Sequence, residues 1–514
     1  MTCKLFSLSS FWRVGAALGT LLPMSIPLIG LAQIEPLPVA WADSPLADDA
    51  HPAMQWRAMV SAAEPLLVFP EMSTDLENWE PAHASITVND ADGLVEVVAR
   101  RIGADRRFFR ARFTPLPPLP EGDRTVYIAP DGNDSNPGTE QRPFKTLTRA
   151  VNQAQPGDVI ILRGGLYEHA STISIGTSRN GTAAKPVTVT AYPGEQPILD
   201  FSAQSTASGN IGVRLNASYW RIIGLTIRRA GHNGIRMDGS HNILERLVAY
   251  ENRDTGIHMA SRAAHNLVVD CDSFRNFNPG GRIGNNADGF GAKFEDLGPG
   301  NHFLRCRSWQ NSDDGFDFWK SPSPIILEAC WSFGNGDVTV FPVDPSVFEG
   351  AGNGFKLGGD YIPGDHIIIR SVAFNNKGKG FDHNNNTGLL THIHNTAFAN
   401  GRNFVFPNAP AAGGAHVFRN NLSLPATAVV QIPANSAATG NSWQLGFFSV
   451  AELVSTDPLF AAGPRQADGA PPHLELLRLR PDSALVDAGQ PVPEGYGGPH
   501  AGAAPDVGAF EYGP

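Results

Sequence analysis

The sequence predicts an all-β protein built around a parallel β-helix. Three observations carry that expectation. First, 54 glycines and 41 prolines in 514 residues, with 17% charged residues, suit a turn-rich β chain better than a helical one. Second, one signature recurs between residues 210 and 420. Tyr250, Phe274, Trp309, Phe333, Phe374 and Phe398 each follow a small residue directly and precede an asparagine by two. Third, these aromatics are spaced 24, 35, 24, 41 and 24 residues apart. The short spacing is one coil; the long ones are a coil plus an insertion of 11 or 17 residues. Coils of this length, rich in strand formers and without a helix, stack at about 4.8 Å.

Taken in order, Met1 to Ala32 carries Lys4 and Arg13, an apolar run from Val14 to Leu31, and small residues at its end. This is the pattern of a signal peptide cut before Gln33. An uncleaved anchor is the alternative, against which Pro23 and Pro27 count. No later segment is long and apolar enough to span a bilayer, so no membrane partner is expected. The chain is expected to be secreted, with retention in the periplasm left open, and to act as a monomer. The net charge of −11 without a basic stripe argues against nucleic acid as a partner.

Residues 33–121 form a second region. Alternation such as Ser85-Ile86-Thr87-Val88 marks half-buried strands of a small β module, which ends at the linker Pro115 to Pro120. Residues 122–440 are the expected β-helix domain. Leu147, Ala150, Val151 and Ala154 share one helical face, stopped by Pro156-Gly157-Asp158. Val159 to Leu162 is a buried strand, and Arg163 to Tyr167 turns it. A short helix there suits a lid over the open end of a stacked core. Within the repeat, the small residues Ala249, Ser273, Ser308, Ser332, Ala373 and Ala397 form an inward column. The aromatics form a second column. The asparagines Asn252, Asn276, Asn311, Asn335, Asn376 and Asn400 form a ladder of amides at a turn. Cys271, Cys306 and Cys330 occupy one equivalent position and read as buried apolar fillers, a bridge between coils being the alternative. Residues 441–514 look like a cap on the far end.

A second alignment concerns chemistry. Gly234, Gly256, Gly289, Gly315, Gly354 and Gly380 form one column. Asp288 and Asp314 then precede it on adjacent coils, with Asp313 one residue further back. Asp317 and Lys356 each stand two after it, in one column with His258, Gly291 and Asp382. A single Asp-Gly is ordinarily a solvated turn. Four carboxylates aligned by an independent repeat repel strongly, and a hard cation with oxygen ligands relieves that; Ca²⁺ fits best.

The motifs "NNADGFGAKF", "NSDDGFDFW" and "GNGFKLGG" resemble those of polysaccharide lyase family 9, the pectate lyase L type. The opening "YIAPDGNDSNPGTEQRPFKTLTRAV" and "GDVIILRGGLY" is similar to that family's start, so the resemblance spans about residues 125–420. It implies a right-handed, pectin-lyase-like β-helix, Ca²⁺, and β-elimination on a uronate polymer such as polygalacturonate. It places the calcium aspartates on Asp288, Asp313, Asp314 and Asp317, and the catalytic base on Lys356. The residue types suit that chemistry. A cation on the C6 carboxylate stabilises the enolate-like transition state, and a neutral lysine can take the C5 proton. Lys293, Lys320, Lys377, Lys379 and His383 lie on or near the same wall and are candidates to grip neighbouring carboxylates. A rhamnogalacturonan lyase, a β-helix glycoside hydrolase using Asp313-Asp314, and a non-catalytic carbohydrate-binding solenoid remain as alternatives. The hydrolase reading lacks the further acids and His-Gly that such sites ordinarily carry.

Overall fold

The structure is a computed structural model. It describes residues 120–512 apart from 412, 467, 493–499 and 501, and before them the backbone of eight strands between residues 32 and 115. The expected signal segment up to residue 31 and most of the Pro-rich linker lie outside the described residues. The chain divides into two compact units, Met1–Leu119 with Leu459–His473 and Pro120–Pro458 with Leu474–Pro514.

In the first unit, Ala32–Pro36, Ala40–Trp41, Ala53–Ala62, Ala84–Asn89 and Leu94–Arg100 form an antiparallel sheet. Leu66–Ser73, Glu80–Pro81 and Phe108–Pro115 form a second antiparallel sheet.

The second unit is a parallel β-helix of three long sheets. The first has 12 strands, from Arg124–Ile128 to Ala437–Thr439; the second has 10, from Gly165–Glu168 to Leu422–Leu424; the third has 10, from Ile173–Ile175 to Val430–Gln431. Each complete coil gives one short strand to each sheet, and the first sheet carries one further strand at each end. The helix Leu147–Val151 starts on a Thr146 hydroxyl that accepts the Arg149 N–H, and it buries Leu147, Ala150 and Val151. These join the same apolar cluster as Ile160 and Leu162, so the end of the stack is covered. One local expectation changes. Gly165–Glu168, expected within a turn, is the first strand of the second sheet, because it pairs in parallel with Pro197–Asp200.

The repeat signature is the register of the stack. Ala249, Ser273, Ser308, Ser332, Ala373 and Ala397 pair in succession, and the aromatics after them pair in the same order. Tyr250, Phe274, Trp309, Phe333 and Phe374 stack with centroids 5.0, 4.4, 5.6 and 4.7 Å apart. The residue between aromatic and asparagine adopts the left-handed conformation, with φ of 56° at Glu251, 53° at Arg275 and 52° at Gln310. That single residue bends the chain into the third sheet. It aims the next side chain, the asparagine, into the interior. There Nδ2 of Asn252, Asn276, Asn311, Asn335 and Asn376 donates to Oδ1 of the next asparagine at 3.1, 2.8, 3.0, 2.9 and 2.8 Å.

The glycine column faces the small-residue column across this turn. A Cβ on Gly289 would lie 2.0 Å from Ser308 Oγ, and one on Gly315 would lie 1.9 Å from Ser332 Oγ. No side chain fits there. Next to the glycines, Phe290, Phe316, Phe355, Phe381 and Phe404 stack inside the helix at 4.8, 4.9, 4.9 and 4.9 Å. The three cysteines are buried and donate to backbone carbonyls, Cys271 to Leu244 at 3.5 Å, Cys306 to Val268 at 3.3 Å and Cys330 to Phe303 at 3.4 Å.

A second corner ladder carries Asn242, Asn266 and Asn301, whose Oδ1 atoms accept the N–H of Trp220, Asn242 and Asn266. Later coils put His366 and His416 in this role. Their Nδ1 atoms accept the N–H of Ile325 at 3.2 Å and of Leu390 at 3.1 Å, so each ring must be unprotonated there. Burial pushes His366 down to about 3.

Two stability predictions follow from these ladders. Asn335→Ala should cost about 1–3 kcal/mol in denaturant unfolding, because it strips buried partners from Asn311 and Ser332. His366 contributes stability that is complete above the unfolded-state value of 6.5 and is lost as pH falls toward 3. The loss is about 1.4 kcal/mol per pH unit. The thermal midpoint should fall across that window, and His366→Asn, which restores the amide of other coils, should flatten the fall. An unchanged slope in H366N would reject the role.

Candidate active site

The site occupies the outer face of the third sheet and the turn leading into it. Thr255, Asp288, Asp314, Asn353 and Lys379 immediately precede the column glycines on successive coils. Side-chain oxygens here also accept backbone N–H groups across coils, but from the following coil, where the asparagine ladder accepts from the preceding one. Asp288 Oδ1 accepts the Asp314 N–H at 3.1 Å, Asp314 Oδ1 the Asn353 N–H at 2.8 Å, and Asn353 Oδ1 the Lys379 N–H at 2.9 Å. An asparagine has one oxygen for this. An aspartate has two, so the ladder leaves Oδ2 of Asp288 and of Asp314 over. Asp317 Oδ1 accepts a local bond, from the Trp319 N–H two residues on at 3.0 Å, which likewise leaves its Oδ2 over. Carboxylate oxygens of Asp288, Asp314 and Asp317 come within 4.8 Å of one another, and all three residues are buried.

Lys356 pairs in register with Asp317 on one side and Asp382 on the other. Its Nζ lies 3.1 Å from Asp314 Oδ2 and 3.3 Å from Asp317 Oδ2. Its side chain keeps 18% exposure, so it is the member of the group open to an incoming molecule.

The other candidates fall in different places. Lys293, a candidate substrate grip, turns inward instead. Its Nζ is 2.6 Å from Asp288 Oδ2 and 2.7 Å from Asp317 Oδ2, with the side chain 7% exposed. Asp313 keeps both oxygens on backbone amides, Oδ2 accepting from Asn286 at 2.6 Å and Oδ1 from Ala351 at 2.7 Å. Its carboxylate therefore clamps the two insertion loops and does not join the cluster. His383 is buried with Nδ1 accepting the Asn385 N–H at 2.9 Å; burial lowers it to about 4, so it is neutral and no cationic grip. Lys320 pairs with Asp360 at 2.6 Å over the Trp319 ring. Lys377 and Lys379 do line the cavity beside Lys356. Sequence reasoning missed Thr255, whose hydroxyl donates to Asp288 Oδ2 at 2.9 Å, and Asn353. Their place directly before the glycine column was the available signal.

The electrostatics follow from burial and charge count. Burial raises Asp288 and Asp314, Asp314 to about 7, and neighbouring lysines offset it only in part. Burial also acts on Asp317, but Lys293 and Lys356 outweigh it and hold the carboxyl below its ordinary value. Burial alone would lower Lys356; Asp317, Asp314, Asp313 and Asp288 outweigh it and hold the ammonium well above its ordinary value. Two ammonium groups do not offset all the carboxylates. Asp314 Oδ2 is buried, and its contact is the ion pair to Lys356 Nζ at 3.1 Å, with no further hydrogen bond. A buried, all-oxygen donor set with a surplus of negative charge fits a hard divalent cation held by Asp288, Asp314 and Asp317.

Known proteins share this fold. A model of the Pel9A-like, right-handed β-helix region matches residues 126–421. Pectate lyase L of Dickeya dadantii (strain 3937) is 39% identical over 395 residues, covering 76% of this chain and 90% of that protein. The crystal structure of pectate lyase Pel9A superposes with a TM-score of 0.70 at 38% identity, covering 76% of this chain and 97% of that one. A rhamnogalacturonan lyase superposes with a TM-score of 0.62 at 26% identity, covering 70% and 97%. The β-helix and its acidic wall thus define a polysaccharide lyase. More particularly, the chain belongs to the Pel9A-like family, and its β-helix is right-handed.

A cation entering this site must displace a proton from Asp314 below about pH 7. Calcium affinity of chelator-stripped protein, measured calorimetrically, should therefore rise with pH up to about 7 and level off above it, with proton release on binding in the lower range. Asp314→Asn should weaken binding by about tenfold or more.

Proposed function

We propose that this enzyme cleaves pectate (polygalacturonate) by Ca²⁺-dependent β-elimination, with Lys356 as the base. The observation that carries the reading is the juxtaposition of Lys356 Nζ, partly open to solvent, with the buried oxygens of Asp314 and Asp317. The relatives named pectate lyase support the same substrate. Ca²⁺ held by Asp288, Asp314 and Asp317 would neutralise the substrate's C6 carboxylate and stabilise charge developing at C5.

Each of this chain's residues then has a separate task. Lys356 Nζ accepts the C5 proton. The electron pair of that C–H bond becomes the C4–C5 double bond, and O4 leaves with the departing chain. Lys293 keeps Asp288 and Asp317 drawn together from inside. Asp313 fixes the loops through Asn286 and Ala351. A base works only when neutral, and the carboxylates hold Lys356 high, so the rate should climb with pH into the alkaline range. Export follows as a proposal from the signal pattern of residues 1–32.

A second reading, cleavage of the rhamnogalacturonan backbone by the same chemistry, draws on the likeness to a rhamnogalacturonan lyase. Activity on both polymers separates the two.

The test is the ultraviolet absorbance of unsaturated product from polygalacturonate, with and without chelator. Wild-type enzyme should lose activity on chelation and regain it with Ca²⁺. Lys356→Ala should reduce turnover by about 10³-fold or more while calcium binding persists. Full activity in K356A would remove the base assignment.

A further inference from the structure

We propose that Lys293 is a resident counter-cation of the acidic wall. Its ammonium shares the oxygens of Asp288 and Asp317 with a bound divalent ion, and so weakens the hold on that ion and keeps it exchangeable. This rests on the Ca²⁺ part of the reading above. It gives Lys293 a task inside the wall in place of the substrate contact that the sequence suggested.

A missing side chain puts the ammonium there. The outward column runs His258, Gly291, Asp317, Lys356 on successive coils. Gly291 contributes nothing beyond its backbone, so a hollow opens between His258 and Asp317. A Cβ on Gly291 would lie 3.2 Å from His258 Cδ2, 3.2 Å from Lys293 Cε and 3.3 Å from Thr255 Cγ2. The Lys293 stem fills that hollow, packed with His258 and Thr255. Phe294, in the left-handed conformation at φ 83°, brings its ring to 5.8 Å from the His258 ring. Thr255 serves twice, its methyl beside the lysine stem and its hydroxyl donating to Asp288 Oδ2 at 2.9 Å. His258 is buried, and neither of its ring nitrogens is hydrogen-bonded. Burial and the neighbouring Lys293 keep the imidazole neutral, so it adds packing to the hollow and no charge.

Charge decides the consequence. Lys293 Nζ lies 2.6 Å from Asp288 Oδ2 and 2.7 Å from Asp317 Oδ2, two of the oxygens that a cation would use. Walled in by its neighbours, the ammonium stays beside any ion that the carboxylates take up. Like charges on shared oxygens repel, and in a buried site that repulsion is large. The same ammonium stabilises the ion-free wall, because buried carboxylates without a counter-charge are costly. Both effects act in one direction: Lys293 favours the ion-free protein and opposes the loaded one. Without it, the wall would depend on the ion for its assembly and would release it slowly.

The experiment is a calorimetric Ca²⁺ titration of chelator-stripped, full-length protein at pH 9, with thermal midpoints in chelator and in Ca²⁺. Lys293→Met keeps an apolar stem without the charge, and Lys293→Gln keeps a hydrogen-bond donor without it. Both should bind Ca²⁺ about tenfold or more tightly than wild type. Their midpoints should fall in chelator and should rise on adding Ca²⁺ by more than the wild-type midpoint does. Gly291→Ala keeps the lysine but crowds its Cε, in a strand position that suits alanine, and should tighten binding by a smaller factor. If neither charge-removing variant folds, this third variant decides, and a wild-type affinity in G291A rejects the role. Unchanged or weaker binding in K293M and K293Q also rejects it, while the cation site stands as long as wild type binds Ca²⁺. If wild-type protein binds no Ca²⁺, the cation reading itself fails, and the role of Lys293 with it.

Discussion

Each coil of this protein is locked to its neighbour by side-chain oxygens that accept the backbone N–H of the equivalent residue one coil away. The asparagines from Asn252 to Asn400 accept from the preceding coil inside the helix, and Asp288, Asp314 and Asn353 accept from the following coil at the edge of the acidic wall. The lock explains why acidic residues can be buried here at all. A buried carboxylate is costly unless it is hydrogen-bonded or paired. In this arrangement each aspartate is half satisfied by the fold before any ion arrives. The unsatisfied half faces Lys293 and Lys356, so structure and chemistry share one set of atoms.

The fold was legible because its signature is periodic. An aromatic, a left-handed residue and an asparagine recur at each corner, and every register inferred from them is the register of the strands. The columns of the site were legible for the same reason: Gly291, Asp317, Lys356 and Asp382 pair in that order. Register tells which column a residue occupies, but not which way its terminal atoms turn. Lys293 stands two residues after an outward glycine, yet its stem folds back to the carboxylates. Asp313 differs from Asp314 by one position. Its oxygens meet amides of Asn286 and Ala351, one in each inserted loop, and no repeat spacing announces those. Arg402 belongs to the cavity through the stacking of its strand on Lys379, which the motifs around the glycine column do not reach.

Charge is distributed unevenly along the same wall. The acidic residues gather on the coils of Asp288 and Asp314, and the cations of the neighbouring cavity follow on the coils after Lys356. A polyanion would meet attraction from the cavity and repulsion from the bare aspartates. The two lysines inside the cluster moderate that repulsion and also set the limit on how much charge the cluster holds. Lys293 is sealed from solvent and works as a permanent internal counter-charge. Lys356 keeps the only partial opening of the two.

The two inserted loops meet outside this cluster, Phe277 on Phe341 and Arg282 on Glu349, while Asp313 grips a backbone amide in each. Both are thus anchored at the ends next to the acidic cluster and free to change length beyond them. Evolution or engineering can therefore recut the rim of the cleft, trying new polymers against it, without disturbing the buried Asp288, Asp314 and Asp317 or the Lys356 beside them.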